Sequence, residues 1–294
     1  FQFSVFGRGV FPEKPDPKTT ENRKPKTENR KQKTENRKLP MPRVSVFIIA
    51  LNQEANIGPC LESAGFADEI VVVDTGSTDR TVELARAYTD RVLESPWLGF
   101  AGTKNFALEQ TRMEWVFSLD TDERVPPGLR EEILAVVRAD GPASGYRAPR
   151  KNYFCGRWIK HLGWYPDYTL RLFRRGQGRF RDREVHEEVE VAGPVGNLKT
   201  PMEHYSYNSV SEYVIRMDRY ARLAAREMAK NGRRPYPGEL LWRPCFTFVN
   251  LYFIKRGFLE GSTGLTLSAL GSMYNFLKYQ YLRELIQEGK LHAH

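Results

Sequence analysis

Three apolar segments that each lead into a polar loop restrict the fold of this chain more than any other feature. They are Val44–Ala50, Glu69–Asp74 and Trp115–Asp120. Segments rich in β-branched and aromatic residues and poor in charge are typical of strands that are buried on both faces. Stretches with helical spacing separate them, and strands that alternate with helices predict an α/β domain built on a parallel sheet.

The stretches between these segments predict the remaining elements of the domain. The turn Thr75–Asp79 contains hydroxyls and a carboxylate, which can cap a helix that follows. Apolar residues at helical spacing predict the helices, and a short apolar run predicts one further strand. These elements are a helix that begins near Asn56 and contains Ile57, Cys60, Leu61 and Ala64, a helix over Arg80–Tyr88, a strand over Arg91–Leu93 and a helix from Lys104 to Glu109.

Carboxylate and amide side chains fall at the carboxyl ends of the predicted strands, where parallel sheets bind their ligands. Asp120 and Asp122 are the most specific of them, because two carboxylates separated by one residue can both bind a hard divalent cation. Mg²⁺ or Mn²⁺ held there would bridge the oxygens of a diphosphate. A solvated turn has the same local pattern, but the position after a buried strand favours a metal site. The other polar residues at strand ends are Asn52, Glu54 and Asp74.

Three sequence blocks in this order resemble family 2 glycosyltransferases of the GT-A fold. They are Val44–Asn56, Ile70–Thr81 and Phe117–Glu123, and the VVVDTGSTDRT run within the second block is a specific signal. Gly99–Ala107 is also similar to the family's segment before the Asp-x-Asp loop. The resemblance implies an α/β nucleotide-sugar-binding domain with a mainly parallel central sheet, followed by a helical C-terminal region.

A narrower resemblance lies further along the chain. Tyr165–Arg174 and Arg183–Glu188 are similar to a branch that includes bacterial lipopolysaccharide inner-core β-glucosyltransferases. The whole resemblance covers Val44 to Leu285. It implies inverting transfer of a hexose, glucose in this branch, from a UDP-sugar to a lipopolysaccharide core or related glycan acceptor. The Gln-x-x-Arg-Trp motif that many family members carry is absent from the sequence, which argues against a processive polymer synthase.

Two other functions are compatible with the same residues. One is sugar transfer to a polyprenyl phosphate. The other is a non-catalytic sugar- or lipid-binding module on a transferase fold. The sequence alone identifies neither the donor sugar nor the acceptor, and these alternatives stay open at this point.

The resemblance also implies roles for individual residues. Asp74 is expected to accept a hydrogen bond from the uracil or the ribose, with helix capping as the alternative. Lys104 is expected to contact the diphosphate, with a solvated helix start as the alternative. Asp120 and Asp122 are expected to hold the metal and the sugar, so that Asp120 serves both sites. The uridine pocket would be lined by Ala50, Asn52 and Glu54.

Inverting transfer requires a carboxylate that takes the proton of the acceptor hydroxyl on the side opposite the leaving group. The acidic segment Arg181–Val189 lies downstream of the Asp-x-Asp loop and supplies candidates. We predict Glu187 as the catalytic base, with His186 as a partner of the metal or of a phosphate. Many family members have a Glu-Asp or Asp-Asp pair here, whereas this chain has Val-His-Glu. Asp182, Glu184 and Glu188 therefore stay open as alternative bases, and a purely structural role stays open for His186.

The predicted acceptor half, residues 126–208, is rich in aromatic and basic side chains. Aromatic rings stack on sugar faces and Arg binds phosphate, so this composition suits a phosphorylated glycan acceptor. An RNA-binding surface has the same composition, but the nucleotide-sugar motifs favour the glycan. The side chains are Arg147, Arg150, Lys151, Arg157, Lys160, Arg171, Arg174 and Arg175, with Tyr146, Tyr153, Phe154, Trp158, Trp164, Tyr165 and Tyr168.

The net charge of +9 comes mainly from residues 1–43, which contain twelve Lys or Arg and five Asp or Glu. The remainder of the chain is close to neutral, so specific nucleic-acid binding is not expected. A TENRK sequence begins at Thr20, Thr27 and Thr34. No position of this repeat is apolar, which predicts a disordered basic tail rather than a coiled coil. The tail is expected to be attracted to anionic lipid headgroups.

Residues 209–294 are predicted to be helical. Ser211–Lys230 has an amphipathic pattern, whereas Leu240–Leu259 is aromatic-rich but interrupted by charges and a proline. No run reaches the ~18 uncharged apolar residues that span a bilayer. The second segment predicts either a buried core or oligomer helix, or a helix pair in the membrane interface. In the second case the inserted side chains would be Trp242, Phe246, Phe253 and Phe258, with Lys255, Arg256 and Lys278 at headgroup level.

These features predict three regions: the tail (1–43), a GT-A catalytic domain (44–208) and the helical C-terminal region (209–294). Within the catalytic domain, residues 44–125 form the nucleotide-sugar half and residues 126–208 the acceptor half. Three widely spaced cysteines without a CxxC pair fit a reducing compartment. We therefore expect a cytoplasmic protein that binds peripherally to the inner face of the membrane, where a lipid-linked acceptor is embedded.

Overall fold

A computed structural model describes residues 43–181, 188–236 and 238–291 of the protein. The strands are β1 (Val44–Ala50), β2 (Glu69–Asp74), β3 (Val92–Glu94), β4 (Trp115–Ser118), β5 (Glu123–Arg124), β6 (Gly145–Phe154), β7 (Arg157–Trp158), β8 (Asp167–Arg174), β9 (Gly178–Arg181), β10 (Glu188–Val191), β11 (Val195–Asn197) and β12 (Met202–Tyr207). The helices are α1 (Glu54–Ala64), α2 (Thr81–Arg86), α3 (Gly99–Glu109), α4 (Pro127–Ala139), α5 (Val210–Lys230), α6 (Glu239–Val249) and α7 (Gly261–Leu291). A π-helical turn (Asn250–Ile254) and a 3₁₀ turn (Gly257–Glu260) lie between α6 and α7.

Most of the described strands form one sheet, in the order β3-β2-β1-β4-β8-β6-β12-β5, with β7 and β11 also paired to β6. β3, β2, β1 and β4 are parallel to one another. β8 runs antiparallel to β4 and to β6 and joins the two halves of the sheet. β9 and β10 form a separate antiparallel pair. The predicted α/β fold, with a mainly parallel central sheet and a helical C-terminal region, is confirmed.

Alternate residues of β1 pack on opposite faces of the sheet. Val46 and Ile48 belong to one buried cluster, which includes Ile57 of α1. Phe47 belongs to another, which includes Ala107 of α3. Helices therefore cover both faces, and the strand is buried on both sides, as its uninterrupted apolar sequence predicts.

The register of the parallel strands brings their carboxyl ends to one edge of the sheet. Ala50 is paired with Asp74, and Asp74 is paired with Glu94 on the next strand. The polar loops that follow β1 and β2 therefore lie next to each other. This is the arrangement in which parallel sheets bind ligands.

Several element boundaries differ from the predicted ones. α3 begins at Gly99, more than one turn before Lys104, α1 begins at Glu54, and α2 is shorter at both ends than predicted. β4 ends at Ser118 rather than at Asp120. The backbone N–H of Asp120 donates to Oε2 of Glu123 at 3.0 Å, and the N–H of Glu123 donates to the carbonyl of Asp120 at 2.9 Å. These two hydrogen bonds close a turn over residues 120–123, which contains Asp122.

The C-terminal region is helical, as predicted. α5 buries Met217, Ala221 and Ala225 on one face, and the hydroxyl of Ser209 caps it by accepting the N–H of Glu212 at 3.1 Å. α7 packs against both α5 and α6. Within the described ranges, no helix is both long enough and apolar enough to cross a membrane.

Candidate active site

The loop after β1 and the turn after β2 are joined by hydrogen bonds around Asn52. The backbone of Asn52 has a positive φ of 52°, which asparagine tolerates better than most residues. Its N–H donates to the hydroxyl of Ser77 at 2.8 Å, and its side-chain oxygen accepts the N–H of Thr78 at 2.8 Å. These bonds hold the two predicted walls of the uridine pocket against each other.

Asp74 shapes the turn that follows it. Its carboxylate is buried and accepts the N–H groups of Gly76 at 2.9 Å and Ser77 at 2.8 Å, together with the hydroxyl of Ser77. The hydrogen bonds of Asp74 go to the turn and not to α2, whose N-cap residue is Arg80. The N–H of Thr81, the first residue of α2, donates to Asp79 at 3.0 Å. The contact of Asp74 with uracil or ribose stays a prediction.

Ala50 and Glu54 lie on either side of Asn52 and are fixed through the same turn. The carbonyl of Ala50 accepts the N–H of Thr75 at 3.0 Å. Glu54 starts α1, and its N–H donates to Asp79 at 3.0 Å. Ala50 is buried and the Glu54 side chain is exposed. The structure therefore brings Ala50, Asn52, Glu54 and Asp74 together at the sheet edge.

Asp120 lies between two cations. Nζ of Lys104 is 3.0 Å from its Oδ1, and Nη2 of Arg171 is 2.7 Å from its Oδ2. Burial by itself would raise the pKa of Asp120, but the charges of Arg171 and Lys104 outweigh it and hold that pKa well below its usual range. Both carboxylate oxygens are thus engaged, and a role of Asp120 as a metal ligand stays a prediction.

Lys104 lies inside α3 and is almost completely buried. Its ammonium group is 5.6 Å from the ring centroid of Phe180 on β9, within the range of a cation–π contact. The alternative of a solvated helix start at Lys104 is therefore wrong. The helix begins earlier than predicted, and the lysine points into the site.

Glu123 and Arg171 form a buried ion pair behind the Asp-x-Asp loop, and sequence reasoning gave neither of them this role. Glu123 is fully buried and Arg171 nearly so, and Nη2 of Arg171 contacts Oε1 of Glu123. Arg150 lies 3.6 Å from the same carboxylate and pairs with Asp167 at 2.6 Å. The sequence signal was an arginine between two leucines of β8, Leu170 and Leu172, a position where an unpaired charge would be costly.

Asp122 faces a histidine that the sequence did not single out. Nε2 of His204 lies 3.4 Å from Oδ2 of Asp122. Nδ1 of His204 is 2.6 Å from the side-chain oxygen of Asn152. The amide nitrogen of Asn152 donates to the carbonyl of Trp164 at 2.9 Å and to Asp167 at 3.2 Å, which fixes the orientation of the amide.

These contacts assign the tautomer of His204. Because the side-chain oxygen of Asn152 can only accept, Nδ1 of His204 must donate, and neutral imidazole then has its lone pair on Nε2. That lone pair and a carboxylate oxygen face each other across 3.4 Å. A proton on Nε2 would turn this contact into an ion pair, and a divalent metal ion could take the place of that proton between the two groups.

Two side-chain donors would suit a metal ion that is bound jointly by protein and substrate. No group of three His, Cys, Asp or Glu side chains that could hold a metal is found among the described residues. Asp122 and His204 could supply two ligands, since bonds of about 2.1 Å to each are compatible with their separation. Mg²⁺ commonly binds one or two protein ligands together with substrate phosphates and water.

The predicted base lies outside the described residues. Glu187 and His186, with the alternatives Asp182 and Glu184, belong to residues 182–187. The described residues on either side of this segment, Arg181 and Glu188, are paired across the antiparallel strands β9 and β10. β9 is anchored to α3, where the side-chain amide of Asn105 exchanges two 2.9 Å hydrogen bonds with the backbone of Phe180.

The aromatic and basic residues of the acceptor half divide into two groups. Trp158 lies between Lys151 and Lys160, whose ammonium groups are 4.9 Å and 4.7 Å from its ring. Arg174, in contrast, covers Trp115 at 4.6 Å and pairs with Asp140 at 2.8 Å. Arg174 therefore stabilises the end of the sheet opposite the site, whereas the Trp158 group is compatible with a phosphorylated acceptor.

Residues 45–191 match the family model of glycosyl transferase family 2. The lipopolysaccharide core biosynthesis glycosyltransferase LpsC of Rhizobium meliloti (strain 1021) is 37% identical over 251 residues, which cover 81% of this chain and 91% of the relative. An undecaprenyl-phosphate 4-deoxy-4-formamido-L-arabinose transferase of Pseudomonas aeruginosa (strain LESB58) is 35% identical over 144 residues, which cover 42% of this chain and 41% of the relative. Among solved structures, the mannosyltransferase PcManGT of Pyrobaculum calidifontis, in complex with GDP-Man and Mn²⁺, is 17% identical, with coverage of 83% of this chain and 87% of that chain and a TM-score of 0.45.

The strand-end acids and the buried lysine lie at the carboxyl edge of the sheet, where parallel sheets bind their ligands. The family match and the extended similarity to LpsC show that the chain belongs to glycosyl transferase family 2. The protein is therefore a glycosyltransferase, as its sequence blocks predict.

Proposed function

We propose that this glycosyltransferase moves a hexose, glucose, from a UDP-sugar to a lipopolysaccharide core acceptor with inversion at the anomeric carbon. The observation that supports this site most directly is the contact between Asp122 and His204, which lies beside the Lys104–Asp120 ion pair. The acceptor class is supported by the similarity to LpsC over 81% of the chain.

The donor is bound at the carboxyl ends of β1 and β2. The loop that contains Ala50, Asn52 and Glu54 and the turn that begins at Asp74 form the uridine pocket. Lys104 contacts the diphosphate, because a buried ammonium group beside a strand end suits phosphate oxygens. Asp120 orients the transferred sugar by accepting hydrogen bonds from the hydroxyl groups of that sugar.

Asp122 and His204 hold a divalent metal, Mg²⁺ or Mn²⁺, with Asp120 as a further predicted ligand. When bound, such an ion neutralises the charge that develops on the departing UDP. Two further residues of the chain position these side chains. Asn152 orients His204, and Arg171 fixes the carboxylate of Asp120.

The acceptor hydroxyl is deprotonated by Glu187, with His186 as a partner of the metal or of a phosphate. The segment that contains them follows β9, whose Phe180 lies against Lys104. Such a base is required for an inverting displacement.

The proposed function also assigns a role to each of the three regions of the chain. A basic tail (1–43) precedes a catalytic domain (44–208), and the helical region (209–294) contacts the membrane. The enzyme is cytoplasmic and binds peripherally to the inner, anionic face of the membrane, because its acceptor is anchored there. The tail adds an electrostatic attraction that salt screens.

Polyprenyl phosphate is the second candidate acceptor. It is favoured by the partial match to an undecaprenyl-phosphate transferase, which is 35% identical over 144 residues. Lipid phosphate would need a cationic contact, and the Trp158 group with Lys151 and Lys160 has that chemistry. This candidate predicts transfer in the absence of any core oligosaccharide.

A panel of nucleotide sugars and acceptors tests both candidates. UDP-glucose with a lipid-A-linked core should give a β-linked product, identified by NMR, whereas transfer only to polyprenyl phosphate would support the second candidate. Asp122→Asn should lower turnover at least about a hundredfold, because a metal ligand is lost. Asp140→Asn, at the opposite end of the sheet, is the control. Turnover near wild type in Asp122→Asn would refute the metal assignment.

A further inference from the structure

The helical hairpin Glu239–Leu291, formed by α6, the two turns and α7, is packed through small and polar residues. The hydroxyl of Ser272 donates to the carbonyl of Pro244 at 2.8 Å, and Asn275 donates to the hydroxyl of Thr247 at 3.0 Å. Gly271 allows Leu251 to approach so closely that an added Cβ would lie 2.5 Å from Cδ1 of that leucine. Interfaces of this kind are typical of helices packed in an apolar environment.

The outward face of the same hairpin is made of large apolar residues. Trp242, Phe246, Val249 and Phe253 follow one another at helical spacing along α6 and the π-helical turn. The whole set has exposures between 45% and 72% and comprises Leu241, Trp242, Phe246, Val249, Phe253, Ile254, Phe258 and Leu259. This polarity is inverted with respect to a helix pair in water, where the large apolar side chains lie inside.

The charges along this face are of one sign. Between Leu240 and Leu282 the sequence contains a single acidic residue, Glu260, which is buried and bound to His161. Lys255 and Arg256 are exposed at the turn between the helices. The apolar face is therefore bordered by cations and has no exposed carboxylate on this segment, which is complementary to anionic lipid headgroups.

We propose that the apolar face of the Glu239–Leu291 hairpin inserts into the boundary between headgroups and acyl chains of an anionic bilayer, as a monotopic element. The proposal specifies the membrane contact of the proposed function, but lipid binding can be tested without sugar transfer. A second copy of the chain is a poorer occupant. In a two-fold interface through this face, Lys255 and Arg256 of each copy would face the same segment of the other copy, which between Leu240 and Leu282 has no exposed carboxylate to pair with them.

The hairpin is attached to the acceptor half of the site. The carbonyl of Lys255 accepts the N–H of Leu162 at 3.0 Å. Glu260 accepts the N–H groups of Lys160 at 2.9 Å and His161 at 3.2 Å. The same loop supplies the carbonyl of Trp164, which accepts from the amide of Asn152. A bilayer bound by the hairpin would thus lie beside the residues that receive the acceptor.

Vesicle flotation of the full chain tests the proposal, with phosphatidylethanolamine–phosphatidylglycerol vesicles compared with phosphatidylcholine vesicles. Wild type should bind the anionic vesicles and stay bound at about 0.5 M NaCl, where charges are screened beyond a few ångström. The double variant Phe246→Ser, Ile254→Ser should partition at least about tenfold less. Tyr88→Ser, an exposed aromatic residue of the nucleotide-sugar half, is the matched control and should bind as wild type does.

Two further variants separate the contributions. Lys255→Ala with Arg256→Ala should lose the preference for anionic vesicles but keep salt-resistant binding. Brominated lipids should quench the tryptophan fluorescence of wild type, and they should quench that of Trp242→Phe less. This conservative variant provides a test that does not depend on whether the double serine variant folds.

Three outcomes would overturn the proposal. The first is that wild type does not bind vesicles. The second is that the double variant is folded and binds vesicles as well as wild type does. The third is that wild type forms a dimer in solution which the double variant does not form, while no protein binds lipid. Loss of all binding in Lys255→Ala, Arg256→Ala would likewise exclude apolar insertion. Each of these results leaves sugar transfer to a delipidated acceptor measurable, so failure of this proposal is distinct from failure of the proposed function.

Discussion

Nε2 of His204 lies 3.4 Å from Oδ2 of Asp122, while Nδ1 of the same ring is hydrogen-bonded to Asn152 at 2.6 Å. The amide therefore selects the tautomer that has a lone pair directed at the aspartate. This relationship depends on three strands, because Asn152 lies on β6, His204 on β12 and Asp122 immediately before β5. The register of β12 with β5 pairs His204 with Glu123 and so brings the histidine next to Asp122.

Replacement of Asn152 by alanine is expected to weaken metal binding about 10- to 100-fold, because the ring of His204 loses the partner that fixes its tautomer and orientation. Titration calorimetry of Mn²⁺ in the presence of UDP measures the affinity. Asn197→Ala, an exposed asparagine on β11, is the control. Unchanged metal affinity in a folded Asn152→Ala protein would contradict the role of Asn152.

The sequence predicts the nucleotide-sugar half of the site well because its signals are local. Each apolar strand is followed within a few residues by a polar side chain of the site. The parallel pairing of β1 with β2 brings two of these side chains, Asn52 and Asp74, to the same edge of the sheet. The end of β4 was less predictable. Its apolar pattern continues to Leu119, but the side chain of Glu123 accepts the N–H of Asp120 and turns the chain. Competition between a side chain and the strand ladder has no signature in the apolar pattern.

The acceptor half was predicted less completely because its contacts join distant parts of the sequence. Nothing near His204 indicates that it faces Asp122, since the contact depends on the pairing of β12 with β5. Arg171 was expected among acceptor-lining residues and is instead buried between Asp120 and Glu123. Composition identifies a basic and aromatic region, but only the sheet register separates Arg171 and Arg150 from exposed cations such as Lys160.

Arg171→Met should destabilise the protein by about 3–5 kcal/mol, the usual cost when one partner of a buried ion pair is removed. Glu123 would lose its closest cation and keep only Arg150, which lies 3.6 Å away. Urea unfolding followed by circular dichroism gives the free energy of unfolding. Arg80→Met, which removes an exposed ion pair with Glu83, should leave that free energy unchanged. Equal free energies of unfolding for Arg171→Met and wild type would show that the buried ion pair makes no net contribution to stability.

The contact between Glu260 and His161 predicts a pH dependence of stability. Burial would raise the pKa of Glu260, but hydrogen bonds from the His161 side chain and from the backbone N–H groups of Lys160 and His161 outweigh it and lower that pKa. A lowered pKa in the folded state stabilises the protein above the unfolded value of about 4.3, and this contribution is lost as the pH falls below it. In Glu260→Gln the free energy of unfolding should fall less steeply between neutral and acidic pH than in wild type. If the free energy of unfolding depends on pH in the same way in both proteins, Glu260 does not make this contribution.

The assignment of Glu187 as the base predicts a loss of kcat without a loss of donor binding. Glu187→Gln keeps the size of the side chain and removes the proton acceptor, so kcat should fall about 10²- to 10⁴-fold. The KM for the UDP-sugar should stay near its wild-type value, because the strand ends and Lys104, which we propose as the donor contacts, lie in a different part of the chain.

Asp182→Asn and Glu184→Gln are the matched variants for this test, since both replace acids of the same segment. They should keep kcat within a few-fold of wild type. The acidic limb of the pH profile of kcat/KM should disappear only in Glu187→Gln, because that limb reports the protonation of the base in the free enzyme. Retained turnover in Glu187→Gln, together with loss in Asp182→Asn or Glu184→Gln, would transfer the role of base to that residue while the donor site stays as described.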